Sequence, residues 1–166
     1  MVLLASIKPI KDIPNVLIYN KKNTPVYRMG STCFGNCVGE MVAFPSQRDN
    51  QKFLWIDLLL MFQKHAGFGT KFLNFAQILS KEYGCEGKLR LSASSTVYES
   101  KAPHVFYRKY GFGADDKKML HKIDKAIKKN KTLSYTYTPE LEMYYPDNEA
   151  PKKTNLFQKI LKKLGL

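Results

Sequence analysis

The run FLWIDLLLMF, residues 53–62, continues directly into QKHAGFGTK, residues 63–71. The first run is apolar at almost every position, which is typical of a strand covered on both faces by helices. The second run contains two glycines separated by one residue, and an amphipathic pattern starts directly after them. This order predicts a buried strand, a glycine-rich turn and a helix. The backbone N–H groups and the positive end of such a helix converge on one point, which suits a phosphate group.

A second informative run is HVFYRKYGF, residues 104–112. It predicts a short helix that presents a tyrosine and ends at Gly111. Between the two runs, apolar residues at helical spacing predict a helix that stops at Gly84, and alternation over residues 88–94 predicts a strand. A phosphate-binding turn followed by a helix that bears a tyrosine indicates acyl transfer from coenzyme A.

Together the two runs resemble the GNAT superfamily of acyl-CoA-dependent N-acetyltransferases. The resemblance covers residues 53–112, from the fourth strand of that superfamily to its fourth helix. The superfamily turn usually opens with arginine or glutamine. Here Lys64 occupies that position, and a lysine pairs with phosphate as a point charge. Ser100 occupies the position where the superfamily often has asparagine.

The resemblance implies acetyl-CoA as the co-substrate and assigns its contacts. The backbone of residues 67–71 would hold the pyrophosphate, because glycine lets the chain approach a ligand closely. Backbone amides at the end of the fourth strand would position the thioester and stabilise the oxyanion. The implied cofactor-binding residues are Leu60, Met61, Phe62, Lys64, Gly67, Phe68, Gly69, Thr70, Lys71, Ser100 and His104.

The candidate catalytic residues are Tyr107, Glu40 and Asp57. Tyr107 matches the tyrosine that the superfamily usually uses to protonate the leaving thiolate; a half-buried core tyrosine is the alternative. Glu40 and Asp57 are candidate bases for the attacking amine. Asp57 stands in an apolar run, where burial of a carboxylate is costly. Each could instead be a structural carboxylate, with water accepting the proton.

The predicted fold is α/β: a single GNAT-like domain with a mixed, mostly antiparallel sheet flanked by helices. Its N-terminal region is abbreviated, because the stretch before the third strand is too short for the two helices that the superfamily usually places there. Residues 46–52 are interpreted as a polar loop. The domain is predicted to span residues 1–146. Residues 147–166 are predicted to be a linker and a basic amphipathic C-terminal helix, which packs on the domain or on a second copy, or binds a membrane surface or a partner.

The composition agrees with one folded domain. A chain of 166 residues can form a single core, and 44% hydrophobic with 13% aromatic residues excludes a disordered chain. No apolar run reaches the roughly 18 residues needed to cross a bilayer, and the apolar N-terminus is too short for a signal peptide. Cys33, Cys37 and Cys85 cannot all pair, so reduced thiols in a cytoplasmic protein are expected. No second pair of ligands accompanies Cys33 and Cys37, so no metal is predicted.

The net charge of +13 implies an acidic partner, and coenzyme A, RNA, an anionic membrane and acidic proteins all qualify. Residues 117–166 hold twelve lysines and five carboxylates. This excess contains little arginine and is not interleaved with aromatic residues, which argues against nucleic acid and favours a solvated face.

The predicted function is therefore N-acetyl transfer from acetyl-CoA to a primary amine, with a homodimer left open. The alternative is a non-catalytic module of the same fold that recognises RNA or an acidic protein through its lysine-rich half.

Overall fold

The computed structural model describes residues 16–21, 24–30, 37–62, 67–94, 101–134 and 138–147. The chain forms two compact units, Met1–Ser92 and Ala93–Leu166. The predicted C-terminal helix lies outside the described residues, so the predicted domain boundary after residue 146 stays a prediction. In the described part of the chain, no helix is both long enough and apolar enough to cross a membrane.

The first unit is built on a sheet whose strands follow one another in chain order. The first four strands are antiparallel to their neighbours, and the fifth runs parallel to the fourth. A helix connects the fourth strand to the fifth. The elements are β1 (Val16–Lys21), β2 (Thr24–Gly30), β3 (Cys37–Arg48), β4 (Gln51–Met61), α1 (Phe68–Glu82) and β5 (Leu89–Ala93).

Two short connections shape this sheet. Only residues 22–23 separate β1 from β2, so no helix lies between these two strands, and the abbreviated N-terminal region stays a prediction because residues 1–15 lie outside the described residues. Asp49 and Asn50 alone connect β3 to β4, with φ values of 49° and 61°. A two-residue hairpin turn with positive φ at both positions matches the right-handed twist of strands, and Asp and Asn tolerate that conformation. The interpretation of residues 46–52 as a polar loop was therefore wrong, because the turn needs only two of them.

The core of the first unit lies between α1 and one face of the sheet. The helix buries one stripe, and Phe72, Leu73 and Ala76 are fully inaccessible. The sheet contributes Met41 and Leu54, which are also fully buried. Burying each large apolar side chain stabilises the fold by about 1.5–3 kcal/mol, so this stripe fixes where α1 begins relative to β4.

The second unit contains α2 (His104–Tyr110), α3 (Lys117–Lys128) and β6 (Leu141–Tyr145). The Asp116 side chain caps α3 by accepting a hydrogen bond from the Met119 N–H at 2.9 Å. Gly113 and Tyr144 exchange backbone hydrogen bonds of 2.8 and 3.0 Å, which ties β6 to the residues after α2. The predicted mixed, mostly antiparallel sheet and the helices predicted within residues 67–134 are therefore confirmed.

Candidate active site

The second half of β4 extends beyond its pairing with β5. The parallel register joins Leu54 to Leu89 and ends with Ile56 opposite Leu91, whereas β4 continues to Met61. The pairing of β4 with β3 continues over this half. One edge of residues 57–61 therefore lies beyond the β5 register, and we call it the open edge of β4.

A β-bulge marks the point where the two halves of β4 meet. Val42 pairs with Leu58 but Ala43 pairs with Ile56, so Asp57 is an extra residue on β4. Such bulges bend a strand and increase its twist. The Asp57 side chain is exposed, and residues 58–61 are only half-buried. The expectation of a strand covered on both faces holds only for its first half, and the exposed Asp57 avoids the cost of burying a carboxylate.

The hydrogen-bond ladder decides which amides of β4 face the open edge. The Phe62 N–H donates to the Val38 carbonyl oxygen at 2.9 Å. Because bonded and non-bonded pairs alternate in an antiparallel ladder, the Leu60 N–H also faces β3. The N–H groups of Met61 and Leu59 face the other way. Of the three amides predicted for the oxyanion, only that of Met61 is directed at the open edge, and Leu59, which the sequence did not single out, shares its direction.

Helix α1 begins shortly after the open edge. Its N-cap is Gly67, with φ of 75° and ψ of 3°, a left-handed conformation that favours glycine. Among the described residues no side chain caps this end, and no acidic residue lies in the first turn, so the positive end of the helix dipole suits an anion. The Lys71 ammonium lies 5.4 Å from the Phe68 ring centroid in the same turn. Gly67, Phe68, Gly69, Thr70 and Lys71 are thus brought together as the sequence predicted, whereas Lys64 lies outside the described residues.

Gly39 on β3 permits the close packing of this region. A Cβ atom built there would lie 2.5 Å from Met61 Cε, 2.6 Å from the Leu60 carbonyl oxygen and 2.8 Å from Phe72 Cε2. The carbonyl oxygen belongs to the backbone and cannot rotate away. Gly39 therefore lets α1 pack directly behind the end of β4. A glycine within an otherwise regular strand pattern was the available sequence signal.

Glu40 lies next to Gly39 and opposite Leu60 in the register. Facing residues of an antiparallel pair share one side of the sheet, so Glu40 and Leu60 lie on the side opposite Gly39 and Met61. Both are half-buried. The carboxylate of Glu40 thus sits beside an apolar side chain at the end of β4, while the Asp57 carboxylate is in solvent.

Tyr107 lies on α2 in the second unit, and only 8% of it is exposed. Its ring contacts the Phe112 ring edge-on, with centroids 5.6 Å apart. The neighbouring Arg108 is 3% exposed and holds this helix in place. Its guanidinium donates to both carboxylate oxygens of Asp124 at 2.8 and 3.1 Å, and to Asp147 and the Phe112 carbonyl oxygen.

The Arg108 ion pairs outweigh the cost of its burial. Burial alone would lower the pKa of Arg108, but hydrogen bonds to Asp124 and Asp147 and the charges of these carboxylates raise that pKa above its ordinary value. A fully charged arginine therefore links α2, α3 and the residue that follows Pro146. This role could not be inferred from the sequence, in which Arg108 is one cation among many.

His104 opens α2 and is fully buried. Its Nε2 lies 2.9 Å from the Pro139 carbonyl oxygen, so that nitrogen carries the proton. Burial lowers its pKa from 6.5. In this structure the imidazole is a packed part of the second unit and does not face solvent. Ser100, the remaining predicted cofactor contact, lies outside the described residues.

Comparison with known proteins gives a similarity of fold. No family model matches the chain, and no curated protein sequence does. Among solved structures, the chain is similar to the NatB acetyltransferase complex bound to a bisubstrate inhibitor, with 14% identity, a TM-score of 0.49, and coverage of 77% of this chain and 72% of that chain. It is also similar to nourseothricin acetyltransferase, with 17% identity, a TM-score of 0.46, and coverage of 91% and 83%.

Proposed function

We propose that this protein is an N-acetyltransferase that moves an acetyl group from acetyl-CoA to a primary amine. One observation carries the proposal: β4 leaves the register of β5 after Ile56, and the helix that follows it has no carboxylate in its first turn and no capping side chain from the residues that the structure describes. An open strand edge and an uncapped helix start follow each other in the chain. Such a sequence of elements suits a long ligand with a phosphate at one end.

Each part of the first unit has a task in this proposal. The first turn of α1 binds the pyrophosphate through backbone N–H groups, with Lys71 as an adjacent cation. The N–H groups of Leu59 and Met61 hydrogen-bond the acyl arm along the open edge. Acetyl-CoA supplies the acyl group as an activated thioester.

The reaction needs two proton transfers. The amine nitrogen forms a bond to the acyl carbon, the carbon–sulfur bond breaks, and the nitrogen loses a proton while the sulfur gains one. Tyr107 is the proposed proton donor to sulfur. Glu40 is the favoured acceptor of the amine proton, directly or through water, because it sits half-buried at the end of β4, whereas Asp57 is exposed. Cytoplasmic location and homodimerisation stay predictions from the sequence.

Ligand-induced stabilisation tests the cofactor assignment. Acetyl-CoA should raise the melting temperature, and at about a hundred times its Kd the free energy of unfolding should rise by about 2.7 kcal/mol. Gly69→Val places a branched side chain in the first turn of α1 and should abolish the shift. Lys81→Val, exposed in the last turn of the same helix, is the matched control and should keep it.

Turnover is measured as thiol released from acetyl-CoA in the presence of a panel of primary amines. No stabilisation by millimolar acetyl-CoA would refute the proposed function. If acetyl-CoA still stabilises Gly69→Val, the proposed function remains but the assignment of the pyrophosphate site is wrong.

A further inference from the structure

Helix α3 carries its lysines on one continuous surface. Lys117, Lys118, Lys122, Lys125 and Lys128 and the C-cap Lys129 are all exposed. At about 100° per residue these six fall within an arc of about 140°. The apolar residues of the helix, among them Met119, Leu120, Ile123 and Ala126, are buried on the opposite side. We call the arc of six lysines the α3 lysine face.

Residues 115–129 hold three carboxylates against the six lysines of this face. Asp124 is the only carboxylate within α3, and its two oxygens accept hydrogen bonds from Arg108 at 2.8 and 3.1 Å. Asp116 caps the N-terminus of the helix, and the exposed Asp115 precedes it. The lysine face therefore presents concentrated positive charge, which attracts a polyanion.

The geometry of the face suits a regular row of phosphates. Lys118, Lys122, Lys125 and Lys129 form a straight row, because their spacing of four, three and four residues follows the helix repeat. The row is about 16 Å long at about 1.5 Å per residue. A nucleic acid duplex carries one negative charge per about 1.7 Å of its axis, so it offers a phosphate to every lysine of the row.

The chemistry of the face excludes other modes of binding. Besides the lysines, the arc contains only the exposed imidazole of His121 and no apolar residue of α3, so nothing on it would insert into lipid. Lysine contributes point charges and lacks the planar fork with which arginine reads guanine. The scarcity of arginine was used above as an argument against nucleic acid. It argues only against recognition of individual bases, because lysine can still contact phosphates.

We propose that the α3 lysine face binds the phosphate backbone of a nucleic acid duplex without reading its sequence. This proposal does not depend on acetyl transfer, because it uses a different element. It assigns a binding partner to the α3 lysine face, which would otherwise contact only solvent.

Salt-dependent binding of the full chain tests the proposal. Fluorescence anisotropy with 20-base-pair DNA and RNA duplexes of arbitrary sequence, between 50 and 300 mM KCl, gives the slope of log K against log salt. Four phosphate contacts predict a slope of about −3.6. The variant K118Q/K122Q/K125Q/K129Q should bind at least about tenfold more weakly at 100 mM salt and show a shallower slope.

A matched control separates a local surface from net charge. K52Q/K81Q/K101Q/K109Q removes the same charge from four other exposed lysines and should bind nearly as the wild type does. K118R/K122R/K125R/K129R keeps the charge and should retain binding. Because all the substituted side chains are exposed, melting temperatures should stay close to the wild-type value.

Three results would overturn the proposal. The wild type could fail to bind either duplex at 50 mM salt. The control variant could lose as much affinity as the α3 variant. Vesicles containing phosphatidylserine, or polyglutamate of equal charge, could bind as tightly as the duplexes through the same four lysines, which would assign the face to membranes or acidic proteins. Stabilisation by acetyl-CoA is unaffected in each case, so the two proposals fail separately.

Discussion

Two glycines near the end of β4 are required for different physical reasons. Gly39 has no room for a Cβ atom, because the Leu60 carbonyl oxygen lies 2.6 Å from the position that the atom would occupy. At Gly67 no described atom lies within 4 Å of the position that a Cβ atom would take, but its φ of 75° is a backbone conformation that residues with a side chain rarely adopt. The same residue type therefore serves close packing at one position and backbone conformation at the other.

Gly39→Ala should displace the end of β4. The added methyl group must push back a backbone oxygen, and overpacking of this kind costs about 1–3 kcal/mol in the free energy of unfolding, measured by urea denaturation. It should also weaken acetyl-CoA binding, because Met61 moves. Gly84→Ala is the control: its φ of 71° costs stability without a clash, so ligand binding should persist. If Gly39→Ala is destabilised but binds acetyl-CoA as tightly as the wild type, Gly39 has no role in the binding site.

Tyr107→Phe should lower kcat by about 10²-fold, the scale of a lost general acid. The ring and its contact with Phe112 remain, so the affinity for acetyl-CoA and the melting temperature should change little. Tyr110→Phe removes a hydroxyl from the same helix and should leave kcat close to wild type. Equal kcat values in Tyr107→Phe and the wild type would exclude Tyr107 as the proton donor.

At the scale of elements, strands and helices were predicted best where a single residue pattern dominated a stretch of sequence. The apolar run, the glycines and the amphipathic stretch placed β4 and α1 correctly. The bulge at Asp57 was not predictable, because it depends on which residues of β3 lie opposite. The direction of the β4 amides was missed for the same reason, since it follows from the pairing register. Arg108 was missed because its two carboxylate partners lie 16 and 39 residues away in the chain.

The link between α2 and the residues after β6 can be tested at Gly113. A Cβ atom at this position would lie 2.5 Å from Asp147 Cγ, so Gly113→Ala should push the Asp147 carboxylate away from Arg108. A lost hydrogen bond to a charged group costs about 1.5–3 kcal/mol in unfolding free energy. If Gly113 acts through Asp147, the double variant Gly113→Ala/Asp147→Ala should lose less than the sum of the single losses. Strict additivity would contradict this link.

At the scale of the whole molecule, the sequence established the net charge and the fold class but not how the charge is distributed. The lysine count of the C-terminal part favoured a solvated face, with recognition of RNA or an acidic protein as the alternative. The structure adds that α3 directs six lysines outward while its one carboxylate pairs with Arg108. The partner proposed for α3 follows from this arrangement of charges. The arrangement depends on contacts between residues far apart in sequence, such as Arg108 and Asp124.

The stability of the folded chain should depend on pH through His104. Burial lowers the pKa of this imidazole, an effect that the hydrogen bond to Pro139 opposes and the charge of Lys122 reinforces. Nδ1 has no hydrogen-bond partner among the described residues, so the folded state resists a second ring proton. The unfolded chain takes up that proton at the ordinary pKa of 6.5. Because the unfolded state then binds more protons, stability should fall as the pH drops below 6.5 toward the folded pKa.

Melting temperatures between about pH 7.5 and pH 5.5 measure this dependence. His104→Gln keeps an N–H donor for the Pro139 carbonyl oxygen and does not titrate, so its melting temperature should change less over this range than that of the wild type. His121→Gln, at an exposed position of α3, is the matched control and should retain the wild-type dependence. If the pH dependence of the melting temperature persists in His104→Gln but disappears in His121→Gln, its source is the exposed His121 and not the buried His104.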